Sequence, residues 1–110
     1  MEYAPGLTAI QFVDDVPTAQ TDADTGLTLI NRQLWASLDT AQRYFLLLHE
    51  QAHLTGQTED ELTADRLAIA QFLRRFPGNP APLTLLQRVL NPNLARARLD
   101  QCRKLIMASC

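Results

Sequence analysis

Histidine is nearly absent from this 110-residue chain, which has two, and cysteine is equally scarce. A metal centre completed by three histidines is therefore excluded. Cys102 and Cys110 form no disulfide framework, and two free thiols suit a reducing compartment, so a cytoplasmic location is expected. No run approaches the roughly 20 apolar residues that a membrane span requires. The start, Met1-Glu2-Tyr3-Ala4-Pro5, has neither the basic opening nor the apolar core of a secretory signal. Repeats, low-complexity tracts and a Gly-rich phosphate loop are all missing. No aromatic residue follows Phe76, so the C-terminal third lacks a platform for stacking bases, and nucleic acid is not an expected partner.

What is present is enough for one domain, residues 1–110, with 46% apolar residues to form a modest core. Charge is unevenly spread. Residues 1–73 carry three Lys or Arg against eleven Asp or Glu, whereas residues 74–110 carry seven basic residues and one acidic. The expected partner of the basic third is the acidic part of the same domain.

Both histidines fall in one run, His49-Glu50-Gln51-Ala52-His53, an H-E-x-x-H pattern. On a helix they stand one turn apart on the same face and can grip a single zinc ion. Glu50 between them can reach a metal-bound water as general base. The surroundings favour a buried helix. Apolar residues recur at 41, 45, 48 and 52, and Glu50 is the sole charge between Tyr44 and Gln57. Two imidazoles and a carboxylate in such a segment are costly unless something pairs with them. Hydrogen-bonded histidines at a helix end closed by Gly56 would be the plain structural alternative, but they leave Glu50 without a role.

A catalytic zinc site takes three protein ligands and keeps one position open. Carboxylates must supply the third. Glu61 and Asp65 lie at i and i+4 on the following helix, beside an apolar stripe of Leu62, Ile69, Leu73 and Phe76. His53 to Glu59 reads H-x-x-G-x-x-E, which resembles the spacing at which metzincins place their third ligand, and that resemblance implies Glu59 as the alternative third ligand. Thr58 and Glu61 also match a capping box, in which Glu61 would bond a backbone N–H instead.

The pattern H-E-x-x-H followed by E-x-x-A-D, positions 49 to 65, resembles the gluzincin clan of zinc metallopeptidases. The length of the chain looks like the compact minigluzincins. That resemblance implies His49, His53 and Glu61 as zinc ligands, Glu50 as general base and Asp65 as the carboxylate that orients a ligating imidazole. It also implies a small zincin-like α+β domain: a short N-terminal β-sheet, an active-site helix, a glutamate-bearing helix and a C-terminal helical hairpin. Two departures stand out. Ala52 replaces a common Gly, and the path from His53 to Glu61 is short.

The elements read from the chain agree with that class. Leu7–Val13 alternates as a strand, Gln20–Thr25 is a polar turn region, and Gly26–Asn31 reads as a second strand. This second strand is the candidate for pairing with an extended substrate. Ser37 or Asp39 starts the active-site helix, with Asp39 and Gln42 as a capping box. The glutamate helix should run from Thr58 to Phe76, where Pro77-Gly78 breaks it. Two more helices are expected over Pro82–Leu90 and Pro92–Met107, the last with a stripe of Ala95, Leu99, Cys102 and Ile106.

The expectation is a zinc metalloendopeptidase acting on a peptide or protein substrate. Its oxyanion-stabilising donor would be Tyr3, Tyr44, an arginine or backbone, since both histidines are committed to metal. Its own terminus could fill the site as an autoinhibitor. The alternative is a non-catalytic binding or structural protein that keeps the helix pair with a degenerate or closed zinc site.

Overall fold

A computed structural model describes residues 9–109 as a small α+β domain of three strands and five helices. Leu7, Thr8, Tyr3 and Cys110, which figured in the expectations above, lie outside the described residues. Strands β1 (Ala9–Val13), β2 (Ala19–Thr21) and β3 (Leu27–Asn31) form one sheet in the order β1-β3-β2. β1 runs parallel to β3 and β2 antiparallel to it.

The central position of β3 corrects one expectation. It has neighbours on both sides and cannot accept a further strand. Among the described residues, the edge strand beside α2 is β2, two of whose residues, Gln20 and Thr21, fall in the region read as turn. The turn itself is Asp22–Gly26. Asp22 Oδ1 accepts from the Asp24 and Thr25 amides, and Gly26 adopts a φ of 77°, which a side chain would resist. Asn31 N donates to Thr18 O and Asp22 N to Leu27 O, while Gln20 stands opposite Leu29. Bonded pairs alternate along an antiparallel ladder, so Ala19 and Thr21 turn their N–H and C=O groups toward the open edge.

A short helix that the sequence reading did not contain follows at once. It is α1 (Arg32–Ser37), capped by Asn31, whose side chain accepts from Leu34 N while donating to Val16 O. Next comes α2 (Thr40–Thr55). Asp39 and Gln42 form its capping box at 2.8 and 3.0 Å, as their spacing predicts. Phe45 through Ala52 are all buried, so the middle of α2 is enclosed on every side. It carries the H-E-x-x-H run through the centre of the domain.

The third long element is α3 (Glu61–Arg75), which starts three residues later than expected. Asp60, not Thr58, caps it by accepting from Thr63 N at 3.0 Å. The Thr58–Glu61 capping box is therefore not made, and the Glu61 side chain is free to point elsewhere. The apolar stripe is also rotated. Ala64, Asp65, Ala68, Ile69 and Phe72 are buried, whereas Leu62 is exposed and Leu73 and Phe76 are only partly covered. The rotation follows from Asp65, which is fully buried and needs partners that only the inner face offers.

The remaining helices are α4 (Ala81–Val89) and α5 (Arg96–Ala108). α5 starts four residues beyond Pro92. Asn91 holds a turn there, its carbonyl accepting from Leu94 N and Ala95 N and its side chain from Asn93 N. The pair forms a hairpin against the first two long helices, α4 on α2 and α5 on α3. Leu85, Leu86, Leu99, Cys102 and Ile106 close the core from that side. Phe45 and Phe72 meet edge to face at its centre, and truncating either to Ala costs about 3–5 kcal/mol. Among the described residues, no helix is long and apolar enough to cross a membrane.

Candidate metal centre

His49 and His53 project from the same face of α2, and their Nε2 atoms face each other at 3.2 Å. From the start of α3, Glu61 reaches into the same space. Its Oε1 lies 2.9 Å from His53 Nε2 and its Oε2 3.3 Å from His49 Nε2. Three donor groups from two helices thus converge on one point. A four-coordinate ion with bonds of about 2.0–2.1 Å places its ligand atoms about 3.3 Å apart. The two ring nitrogens, 3.2 Å apart, are close to that edge, and each has one Glu61 oxygen beside it, Oε1 at 2.9 Å from His53 and Oε2 at 3.3 Å from His49. Two imidazole nitrogens held this close across a carboxylate need a cation between them, a proton or a metal ion.

His49, Glu50 and His53 also group within 4.8 Å as a set that could hold a metal ion. Distance favours Glu61 over Glu50 as the third donor. Glu50 Oε2 is 3.8 Å from His49 Nε2, and its other oxygen is taken by the Thr21 hydroxyl at 2.8 Å. Glu59 is exposed on the rim of the adjoining cavity. Glu61 is the carboxylate within 3.3 Å of both rings.

The far nitrogens of both rings are fixed by the chain. The short connection from α2 to α3 bends back through Gln57 at a φ of 47°, which brings Thr58 O to 2.8 Å from His53 Nδ1. Nδ1 must donate to that carbonyl, which leaves the Nε2 lone pair for the site. Gly56 permits the close return. A Cβ there would stand 2.8 Å from Ala52 O and 2.8 Å from Leu67 Cδ1. His49 Nδ1 lies 2.8 Å from Asp65 Oδ1, although its N–H is not aimed at the oxygen, so the contact is chiefly between charges.

Asp65 is held in turn by Arg98 of α5, with Nε 2.5 Å from Oδ2 and Nη2 2.9 Å from Oδ1. Arg98 Nη1 also approaches Glu61 Oε2 at 3.3 Å. The expected pairing of the basic third with the acidic part is seen at this residue. Spacing alone could not find Arg98, since Asp65 lies 33 positions away. The only hint was the charge asymmetry.

No family model, curated protein or solved structure matches the chain. Its chemistry must be read from these contacts.

Burial pushes His49 toward its neutral form, but Asp65, Glu61 and Glu50 outweigh it and raise its pKa to about 9 in the metal-free protein. The bond to His49 holds Glu61 below the usual carboxylate range, against burial. Burial drives the Asp65 pKa up, yet His49 and Arg98 together pull it down. All three groups are therefore charged near neutrality, and a bound metal would take the place of the His49 proton.

Beside the donors lies a cavity of about 790 Å³. β2 forms one wall, Glu50 and the donor residues another, and Leu85, Leu86, Val89 and Leu90 the apolar end. Of the candidate oxyanion donors, Arg98 lines this cavity, whereas Tyr44, half-buried, packs against Phe72 and Phe76. Cys102 is buried, and burial pushes its thiol up to about 12, so it is no thiolate ligand.

Proposed function

We propose that this chain is a zinc-dependent metallopeptidase of the gluzincin type, with a compact zincin-like domain of the minigluzincin kind. The observation that carries the reading is the convergence of His49, His53 and Glu61, with a Glu61 oxygen within 3.3 Å of each ring nitrogen, beside an open cavity that Glu50 also lines. Nitrogen and carboxylate donors in this ratio suit zinc, and an ion held there would polarise a carbonyl and acidify a bound water.

The chain's own residues supply the rest. Glu50, buried and directed toward the donor cluster, would take the proton of the attacking water and return it to the leaving amine. Asp65 would keep His49 oriented and basic, and Thr58 O would do the same for His53. Arg98 is the donor best placed to assist the carbonyl oxygen, because its side chain borders both Glu61 and the cavity. An extended peptide would lie along β2 and pair with the outward main-chain groups of Ala19 and Thr21. The apolar end of the cavity would receive one of its side chains. A closed structural zinc site, the competing reading, would not need a cavity of this size at its ligands.

The deciding experiment is metal analysis of protein purified without chelator or affinity tag, for wild type and His53→Ala. One equivalent of zinc, lost in the variant, is the expected result. A peptide-library screen with Glu50→Gln as control then tests turnover, since that change removes the base and leaves the ligands. Wild type that takes up no metal from added zinc at neutral pH overturns the proposal.

A further inference from the structure

The two oxygens of Glu50 have different surroundings. Oε2 faces the imidazole cluster, 3.8 Å from His49 Nε2. Oε1 accepts the Thr21 hydroxyl at 2.8 Å, and Thr21 Oγ1 is in turn 2.8 Å from Thr28 Oγ1. A hydroxyl has one proton, and the Thr21 hydroxyl donates to Glu50 Oε1. Thr21 therefore spends its proton on Glu50, and Thr28 must donate to Thr21. Thr28 is fully buried in the central strand, so its hydroxyl has no solvent to turn to.

We propose that Thr21 is a positioning residue for Glu50, with Thr28 orienting the Thr21 hydroxyl. The inference rests on the peptidase reading of the site. Thr21 ties down Oε1 and leaves Oε2 as the oxygen that exchanges a proton with water. A glutamate side chain has three rotatable bonds, and the hydrogen bond from Thr21 selects the rotamer that faces the donor cluster. Thr21 also belongs to β2, whose outward N–H and C=O are the groups offered to an extended peptide. One residue thus joins the strand that receives the substrate to the base that acts on it.

The test uses the full chain, with Thr21→Val, Thr21→Ser, Thr28→Val and Glu50→Ala. Turnover is followed on casein carrying self-quenched fluorescein, and zinc affinity by competition with a chromophoric chelator. Thr21→Val should lower kcat about tenfold or more, with KM and zinc affinity within about twofold of wild type. Thr21→Ser keeps the hydroxyl and should recover most of the rate. Thr28→Val should fall between them. A second readout needs neither metal nor substrate. In the metal-free protein the melting shifts of Thr21→Val and Glu50→Ala should be non-additive, because each removes the same bond.

Additive shifts overturn the inference, and so does a Thr21→Val enzyme that matches wild-type kcat. A loss that appears in zinc affinity or KM instead of kcat also overturns it, since the role would then be structural. If the variants' melting shifts are non-additive but the zinc-loaded wild type hydrolyses nothing, there is no catalytic base to position. The peptidase reading then fails and takes the inference with it, whereas active wild type with an indifferent Thr21 sinks the inference alone.

Discussion

Arg98→Met should be among the most damaging single changes in this domain, although Arg98 is not a core residue. Asp65 is fully buried, and two of its contacts come from the guanidinium fork at 2.5 and 2.9 Å. Hydrogen bonds between charged groups contribute about 1.5–3 kcal/mol each, and stripping one partner from a buried pair costs about 3–5 kcal/mol. The Arg98 side chain is 18% exposed, so the lower end applies, about 3 kcal/mol. With an unfolding entropy of about 2.1 cal/mol/K per residue, a domain of this length should lose about 13 °C in Tm. Calorimetry of the metal-free protein at pH 7 measures it. His49 still carries its proton there and offsets part of the loss, so the deficit should widen above pH 9, where that charge is gone. Adding Asp65→Leu to Arg98→Met should restore part of the stability, because no carboxylate is then stranded. A drop of less than about 3 °C for the single variant would refute the clamp as a stabilising contact.

The metal-free protein should show a stability plateau bounded by titration on both sides. His49 has a folded pKa raised from 6.5 to about 9, so its contribution is complete below pH 6.5 and is lost as pH rises toward 9. Glu61 and Asp65 are depressed, so theirs is present above the ordinary carboxylate range and is lost on acidification. Zinc binding at pH 7.5 should release close to one proton from His49, read as a dependence of the calorimetric enthalpy on buffer ionisation heat; no dependence would contradict the assignment. Glu61→Ala should weaken zinc at least about tenfold whereas Glu59→Ala leaves it unchanged, by chelator competition, and the reverse pattern would move the third ligand to Glu59. Gly56→Ala should cost about 1–3 kcal/mol in chemical denaturation, since its methyl meets a backbone oxygen at 2.8 Å. Wild-type stability in that variant would mean the α2–α3 connection yields easily.

The long helices were legible because their signals are local. Asp39 and Gln42 cap α2 as their spacing says, and the Pro77-Gly78 break falls just after α3 ends. Helical periodicity placed His49 with His53 and Glu61 with Asp65 on one face each, while their meeting in one cluster was expected only from the family resemblance. Three features were hidden. β2 is three residues long and shows no alternation, being defined only by its pairing with β3. α1 depends on an Asn31 side chain that ties two distant backbone groups. The start of α3 turned on a choice between two good caps, Thr58 and Asp60, and Asp60 won while the Thr58 carbonyl went to His53. Arg98 and Thr21 lay beyond any local pattern, because their partners are 33 and 29 positions away.

The Arg98 clamp also makes the donor cluster depend on a segment far downstream in the chain. The H-E-x-x-H run, Glu61 and Asp65 leave the ribosome well ahead of Arg98, which follows Asp65 by 33 residues. A nascent chain at that stage holds all the donor atoms but leaves Asp65 without the guanidinium that makes its burial tolerable. Full pairing of the buried Asp65 beside the donor cluster therefore depends on α5 being docked. A chain interrupted before Arg98 keeps the motif without the means to bury it.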